Sequence, residues 1–382
     1  QGSNITSQVC KDEKLELGTT NADSLDLELL LDYDQANNTY SLNGNTVSLY
    51  TSIGARVNLS FNVTLTTGTV ETVRTKTFYV NNAERSADIL TLTAYDKMLN
   101  FEIALGPTTS GTAYNFLVIA CNSCGVTLGN TANELAMMPN GNLDIYIDPL
   151  SADKISTWRD LVGYIALLLG GNARIGSDDK LYIKQFSDES VRTIPASWRY
   201  SSQIVDYTTK YSGITATYQL DKSIDSVSND TSDGLIYDIG VNPFLQVGVK
   251  DIRVSALSKI ITALQKVDYT PSKFSCQCDP SLECMDVITL VDIQATGSKP
   301  ATITKITLAL NGKVDIVCSG ENPNKIDPDT GLDKRFKSIA ENNDQDAIHY
   351  YDYTNGEEIE IGDKQTKRVI TFRYGATKTS RV

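Results

Sequence analysis

The chain has 382 residues, of which 41% are hydrophobic and 21% charged, as in a folded soluble protein that is too long for one hydrophobic core. No run of about 18 apolar residues occurs, so the sequence predicts no membrane span. The net charge of −13 disfavours a surface for duplex nucleic acid, which needs Lys and Arg against the phosphates, and we expect no sequence-specific nucleic-acid binding.

Residues 4–96 show the two-residue alternation of β-strands. The alternating apolar positions are Leu25, Leu27 and Leu29, then Val57, Leu59, Phe61, Val63 and Leu65, then Leu90, Leu92 and Ala94. Turn residues such as Thr67-Gly68 separate these runs, and helical periodicity is absent. The segment therefore predicts an antiparallel barrel or sandwich.

Residues 97–203 contain a helix followed by a hairpin and predict an α+β domain. Thr157 and Asp160 form a helix-opening box, and a helix is predicted over 158–169. Its apolar stripe is formed by Trp158, Leu161, Val162, Ile165, Leu168 and Leu169. Gly170-Gly171 ends the helix, and a hairpin follows over 172–184. We also predict a short helix over 114–124, a loop and then a strand over 130–147, and a boundary near 198–203.

Residues 204–320 return to strand-like alternation and predict a second β domain with one inserted helix. The helix is predicted over 251–267, with Asp251 as its N-cap, and residues 223–234 are predicted to form a loop. Strands are predicted over 207–218, 285–293, 302–310 and 314–319, with Asn311-Gly312 as a hairpin turn. Residues 321–382 predict an acidic linker followed by the start of a further β hairpin around Gly362-Asp363.

The sequence contains histidine, cysteine and acidic residues, but not in the spacing that is typical of an enzyme active site. His349 is the single histidine and lies in the polar C-terminal segment, so neither a nucleophile–histidine pair nor a His-ligated zinc site is predicted. No phosphate-binding glycine loop occurs, and no pair among the 47 acidic residues is marked for glycoside hydrolysis. We predict no catalytic residues, no cofactor and no metal site.

The seven cysteines are spread through the chain, at Cys10, Cys121, Cys124, Cys276, Cys278, Cys284 and Cys318. This distribution fits reduced thiols better than a disulfide framework. The irregular spacing favours buried or half-buried free thiols, and a zinc site formed by Cys121, Cys124 and the later group is the less favoured alternative.

Three stretches, in order, resemble the tail-tip and baseplate-hub proteins of long-tailed and contractile bacteriophages. The first is Phe78–Asp96, whose end lies in the motif Leu-Thr-Leu-Thr-Ala-Tyr-Asp-Lys-Met-Leu at 90–99. The second comprises Cys-Asn-Ser-Cys-Gly-Val-Thr-Leu at 121–128 and the helix and hairpin of 157–186. The third comprises Asn-Pro-Phe at 242–244, Tyr-Thr-Pro at 269–271, Cys-Asp-Pro-Ser-Leu-Glu at 278–283 and Asp-Val-Ile-Thr-Leu at 286–290. One position departs from the family, where a Gly-Asp pair is usual and this chain has Met285 before Asp286.

The resemblance implies a mostly β, α+β architecture with two similar antiparallel β-barrel (tube) domains, at 4–96 and 204–320. An α+β domain at 97–203 would be inserted between them, and a small helix-containing part would surround the helix at 251–267. In such proteins three chains form a ring of pseudo-six-fold symmetry that joins the tail tube to the cell-contacting tip and lets DNA pass. A net negative wall would not hold passing DNA, although solubility alone also explains the charge.

The resemblance further implies a non-enzymatic virion protein located at the tail tip or baseplate, and in the host bacterial cytoplasm during assembly. Its partners would be two further copies of itself, a hexameric distal tail or tail-tube protein, a tape-measure protein and the host cell wall. Any lytic activity would lie beyond residue 382. The alternatives are a peptidoglycan or glycan hydrolase or adhesin module of a phage tail, and the hub of a phage-tail-like bacteriocin.

Overall fold

The structure is a computed structural model that describes residues 3–323, apart from 12–13, 48–51, 65, 109, 150, 229–233, 293–296 and 311. The predicted hairpin near Gly362, His349 and all of the predicted linker beyond residue 323 lie outside the described residues. So does Asn311 of the predicted turn, although Gly312 has the positive φ of 90° that such a turn requires.

The described part of the chain is mostly β. In chain order the strands are β1 (Asn4–Gln8), β2 (Cys10–Lys11), β3 (Lys14–Leu15), β4 (Ser24–Leu30), β5 (Asp32–Asp34), β6 (Thr39–Leu42), β7 (Asn45–Thr46), β8 (Arg56–Thr64), β9 (Val70–Ser86), β10 (Ile89–Tyr95), β11 (Thr127–Leu128), β12 (Gly171–Ile175), β13 (Lys180–Gln185), β14 (Ser190–Ile194), β15 (Arg199–Ile204), β16 (Thr209–Thr217), β17 (Ile224–Ser228), β18 (Leu235–Asp238), β19 (Asp268–Tyr269), β20 (Ser272–Gln277), β21 (Val287–Asp292), β22 (Gly297–Thr302), β23 (Lys305–Ala309) and β24 (Lys313–Cys318).

Four α-helices accompany the described strands: α1 (Ala113–Cys124), α2 (Ala132–Met137), α3 (Trp158–Leu168) and α4 (Lys250–Leu264). Short 3-10 turns occupy Lys97–Glu102, Ala152–Lys154, Ala196–Trp198 and Pro243–Leu245. Among the described residues no helix is long and apolar enough to cross a membrane.

One nine-stranded sheet organises the molecule, in the order β15-β20-β24-β23-β1-β4-β10-β9-β8. Its strands come from both ends of the described chain, because β1 pairs antiparallel with β23, with Asn4 opposite Ala309. Alternate side chains point to opposite faces of a strand, so each strand presents its apolar positions to one side. That side is buried; its members include Ile5, Leu25, Phe78, Leu90, Phe274, Ile306 and Ile316.

The predicted barrels are therefore replaced by a shared sheet. No closed barrel is formed by the strands that the structure describes, and strands of the segments 4–96 and 204–320 join edge to edge. The physical reason is that β1 and β23 each have a free edge that the other satisfies, which alternation within a single strand cannot reveal. The mostly β character is confirmed, whereas the division into four domains stays a prediction.

The predicted helix and hairpin are confirmed, in α3 and in the pair β12–β13. Thr157 Oγ1 accepts from the Asp160 N–H at 3.2 Å, and Asp160 Oδ2 accepts from the Thr157 N–H at 2.9 Å, so both halves of the box form. Gly170 has φ +68°, as a helix-ending glycine should. The whole predicted stripe is buried, and β12 pairs antiparallel with β13 beneath the helix.

A buried ion pair fixes α4 against β17. Arg253 Nε donates to Asp225 Oδ2 at 2.5 Å, Arg253 Nη1 donates to the Val247 carbonyl at 2.6 Å, and the guanidinium lies 3.8 Å from the centre of the Tyr218 ring. Two expectations are corrected here. The helix begins at Lys250 behind Val249, not behind Asp251, because Val249 still has extended backbone angles. The segment 223–234 is also not all loop, because it contains β17 paired with β16.

One further expectation fails, and the domain boundary near 198–203 stays a prediction although a strand lies there. The segment 130–147 was expected to open as a loop, yet Thr131 and Glu134 form a second capping box and begin α2. The expected boundary at 198–203 is the strand β15, whose partner β20 lies some 70 residues later in the chain. In both places the element is only about six residues long, too short for a periodic signal.

Candidate functional site: the polar face of the nine-stranded sheet

The face of the sheet opposite the core is mostly polar, although it also carries the exposed pair Leu30 and Ile89 and the half-buried Val317. Strand register places Thr6 opposite Thr307 and Asn4 opposite Asp26, and then Asp26 opposite Thr93. In the other half of the sheet, Asp315 of β24 lies opposite Thr307 of β23 and Ser275 of β20. These side chains are half-buried, as expected on a flat strand surface, and none of them is apolar. The face is therefore built to meet water or another hydrated surface.

Side chains on this face hydrogen-bond to one another across strands. Asp26 Oδ1 accepts from Thr93 Oγ1 at 3.1 Å, and the hydroxyls of Thr6 and Thr307 are 3.4 Å apart. Ser275 donates to Asp315. Such cross-strand pairs each contribute a few tenths of a kcal/mol to about 1 kcal/mol and hold the rotamers in place. The surface is consequently smooth and pre-ordered.

The charges on this face balance. Its acidic side chains are Asp26, Glu28, Glu84 and Asp315, and its basic side chains are Arg56, Lys273, Lys305 and Lys313. Four acidic and four basic side chains give this face no net charge, so the excess of acidic residues in the whole chain is not concentrated on it. A face without excess Lys and Arg offers no electrostatic track for nucleic-acid phosphates.

The sheet contains the same strand order twice. Numbered in chain order, β1, β4, β9 and β10 are arranged 1-2-4-3, and so are β15, β20, β23 and β24. Within each set the neighbouring strands are antiparallel. The third strand of the second set, β23, pairs with the first strand of the first set, β1. The two sets thus meet head to tail, and β8 is an addition outside the repeat.

The two ends of this head-to-tail arrangement are open in complementary ways. The free edge of β15 begins the second set, and its residues are mostly exposed, with Tyr200 at 67%. At the other end β9 pairs with β10 through residues 79–86 but with β8 only through residues 70–79. Residues 81–86 of β9 thus have a strand on one side only among the described strands.

No protein-family model matches this sequence, and no curated protein matches it either. Several solved structures are similar. One is the 43 kDa tail protein of prophage MuSo2 from Shewanella oneidensis, at 13% identity and a TM-score of 0.48 over 85% of this chain and 95% of that chain.

A tail protein from Neisseria meningitidis is similar at 12% identity and a TM-score of 0.46, covering 84% and 91% of the two chains. A prophage tail protein from Listeria monocytogenes is similar at 9% identity and a TM-score of 0.47, covering 89% and 92%. Phage tail proteins are also what the sequence motifs resemble. At these identities and TM-scores the likeness carries no argument about individual residues, for which the geometry of this chain is the basis.

The departure at Met285 has a clear local consequence. Met285 has φ +74°, a left-handed conformation that glycine adopts without strain and other residues rarely adopt. Its N–H donates to the Ile303 carbonyl at 2.7 Å and its side chain is buried. The turn before β21 therefore keeps a glycine-like backbone although glycine is missing, and burial of the methionine offsets the strain.

The thiols lie where the sequence predicted, in buried or half-buried positions, and all seven are free. Burial raises the pKa of Cys121 and Cys318 to about 12 and that of Cys124, Cys276 and Cys284 to about 11. Thiols in this state are poor nucleophiles and poor metal ligands. Within the described ranges no group of three or more His, Cys, Asp or Glu side chains could hold a metal ion.

A groove with a volume of about 650 Å³ lies between the end of α2 and α4. It is lined by Met137, Met138 and Pro139 on one side and by Lys259 and Lys266 on the other. No carboxylate, thiol or histidine lines it, so it lacks a pair of groups for acid–base or nucleophilic chemistry. The polar sheet face is the more extensive feature. Sequence reasoning did not identify it, although Thr, Ser and Asn alternate with the apolar residues along these strands.

Proposed function

We propose that this protein is a non-enzymatic structural component of a bacteriophage or prophage tail tip or baseplate, in which three copies form a ring. The head-to-tail repeat of strand order carries the proposal. Within one chain the second strand set is followed by the first through the β23–β1 pair. The same pairing can be repeated between chains if residues 81–86 of β9 in one chain pair with β15 of the next chain. This contact joins two different surfaces and is therefore a heterologous interface. Such interfaces form a closed ring when the rotation from one chain to the next divides a full turn evenly.

The size of such a ring suits passage of a duplex. Three chains with two four-stranded sets each give 24 strands in the wall. At about 4.8 Å per strand the circumference is about 115 Å and the backbone diameter about 37 Å, which strand tilt would widen. Side chains leave a clear bore of about 25 Å. With the apolar face packed on the insert, the polar face lines this bore.

The chemistry of the polar face fits a conduit better than a binding site. Its acidic and basic side chains are equal in number, and hydroxyl groups on it donate to carboxylates of the same face. Passing phosphates would therefore meet no excess of positive charge that could bind them. In this role the ring would lie between a hexameric tail-tube or distal tail protein and the cell-contacting tip, with a tape-measure protein passing through it. Six strand sets in three chains match the six-fold symmetry of such a partner.

The decisive measurement is the oligomeric state. We expect light scattering to give three times the chain mass at high concentration, and electron micrographs to show rings with an open centre. Replacing Tyr200→Glu together with Ser202→Glu adds charge to the free edge of β15, where like charges oppose strand addition, and should yield monomers. The matched control is Met137→Glu, at 87% exposure on α2, which should leave the trimer intact.

Two outcomes would overturn the proposal. A monomer at every concentration reached would remove the ring, and a trimer that survives the two glutamates on β15 would show that it forms through another surface. The non-enzymatic part has its own test, because release of soluble fragments from purified peptidoglycan by the intact chain would contradict it.

A further inference from the structure

A group of four charged side chains lies buried between the nine-stranded sheet and the inserted segment. Lys76 of β9 points to the core side of the sheet and is only 4% exposed. Asp23 precedes β4, Asp96 follows β10, and Arg174 belongs to β12; they are 2%, 3% and 8% exposed. Two positive and two negative charges thus share a site closed to water. A buried charge is tolerated only when it is paired in this way.

The geometry places the Lys76 amine against two carboxylates at once. Lys76 Nζ contacts Asp23 Oδ2 directly and is 3.3 Å from Asp96 Oδ2. Its remaining donor reaches the carbonyl of Ile175 at 3.2 Å. The ring of Phe78 lies 5.8 Å from the amine. The amine of Lys76 and the carboxylate of Asp23 are therefore held in contact, and both are buried.

The other two charged groups are themselves fixed. Asp96 accepts from the backbone N–H groups of Met98 at 3.0 Å and of Asp23 at 3.1 Å, which sets the orientation of its carboxylate. Arg174 Nη1 donates to the Cys284 carbonyl at 2.7 Å, and its Nη2 lies 3.3 Å from Asp23 Oδ2. Each group thus faces the Lys76–Asp23 contact from a fixed direction.

We propose that Lys76 and Asp23 react with each other to form an intramolecular isopeptide bond, with Asp96 transferring the protons and Arg174 stabilising the charge on the Asp23 carboxyl. The Lys76 ammonium first gives a proton, through Asp96, to one Asp23 oxygen, so that the group attacked is a neutral carboxylic acid. The neutral amine then attacks the Cγ carbon of Asp23, and a C–N bond forms. Asp96 takes the second proton from the nitrogen and gives it to the same Asp23 oxygen, which leaves as water when its C–O bond breaks.

Atoms and charge are conserved in this reaction without any further reactant. The ammonium loses two protons, the departing oxygen gains two, and Asp96 ends as it began. No electron is exchanged with an oxidant or a reductant. The products are one amide, which is neutral, and one water molecule.

Several features of the site favour this step, and one opposes it. Burial raises the pKa of Asp23, but the charges of Lys76 and Arg174 outweigh burial and lower that pKa to about 2, which opposes protonation of the carboxylate. Fixed proximity replaces an encounter in solution and is equivalent to effective concentrations of about 10⁵ M or more. Burial raises the pKa of Asp96 to about 6, which suits a group that accepts and returns a proton near neutral pH. The Arg174 guanidinium faces the oxygens on which negative charge develops as the amine attacks. Exclusion of water also opposes hydrolysis of the amide once formed.

The bond would cross the end of β10, the strand between β4 and β9 in the sheet. Asp23 lies just before β4, Asp96 just after β10 and Lys76 within β9. A covalent link there prevents β4 and β9 from sliding apart over β10. Backbone hydrogen bonds alone would otherwise resist that motion.

The mass of the denatured, intact chain tests this directly. We expect the protein to be lighter than its sequence by one water molecule, and a protease digest to contain one branched peptide that joins Lys76 to Asp23. The Lys76→Met variant keeps an unbranched apolar stem and should have the full sequence mass. The Asp96→Asn variant keeps the shape of the proton carrier, and its freshly made chain should lose water at least about 10²-fold more slowly.

The full sequence mass in the unaltered protein would overturn the proposal. So would a loss of water that persists in Lys76→Met, because it would have occurred elsewhere in the chain. Circular dichroism of each variant establishes that it is folded, and Asp96→Asn supplies the test if Lys76→Met does not fold. In that variant an unchanged rate of water loss would exclude Asp96 as the proton carrier.

Discussion

The ion pair between Arg253 and Asp225 is expected to be worth far more to stability than an exposed pair. The two side chains are 5% and 2% exposed, so removal of one leaves the other charged and buried. Such a loss typically costs 3–5 kcal/mol, of which most is the desolvation of the remaining charge. We therefore expect Asp225→Leu to lower the free energy of unfolding by about 4 kcal/mol.

Removal of the arginine instead of the aspartate should lower the free energy of unfolding slightly less. In Arg253→Met the carboxylate of Asp225 keeps Lys250, whose amine is 4.0 Å away and whose side chain is 69% exposed, so about 3 kcal/mol is expected. The methionine stem still packs on Tyr218. The double variant has no buried charge and loses chiefly the bond to the Val247 carbonyl, so it should cost only about 1–3 kcal/mol.

Urea unfolding monitored by tryptophan fluorescence measures all three free energies, because Trp158 is buried in the core. The control is the exposed pair of Lys180 and Asp178, at 2.8 Å with side chains 44% and 40% exposed. Because both groups are largely solvated, breaking this pair should leave stability almost unchanged. Additive single effects in the double variant, or losses below about 1 kcal/mol in each single variant, would refute the reasoning.

Three further predictions concern single elements. Thr157→Ala removes the capping bond of α3 and should cost about 1 kcal/mol in urea unfolding, whereas Thr112→Ala, at an N-cap whose side chain makes no capping bond, should cost less than half as much. Gly163→Ala places a Cβ 2.8 Å from the Gly18 carbonyl oxygen, so it should destabilise by about 1–3 kcal/mol although alanine favours a helix; an increase in stability would contradict this. Iodoacetamide at pH 8 should label the half-buried Cys278 before Cys276 and Cys318, because it is the more accessible thiol and because a pKa of about 11 to 12 leaves those two with about 10²-fold less thiolate than a free cysteine; labelling of Cys276 or Cys318 before Cys278 in a mass map would refute it.

The local elements could be predicted because their causes lie within a few residues. The box of Thr157 and Asp160, the apolar stripe of α3 and the glycine at 170 each act through neighbouring backbone groups, and the structure confirms all three. The errors also have local causes. A six-residue helix such as α2 repeats its pattern too few times to be distinguished from a loop.

Only the tertiary structure shows which strands pair with each other when they are far apart in the sequence. Asn4 pairs with Ala309 across three hundred residues, and this pairing turns two predicted barrels into one sheet with a repeated strand order. The polar face follows from that sheet, since alternation predicts two faces for each strand but not which strands share them. The site around Lys76 has the same origin, because its four charged residues come from separate segments and only the packed core brings them into contact. The sequence by itself determined the elements, through interactions that reach a turn of helix or a hairpin; their partners depended on long-range burial, which no short stretch of residues encodes.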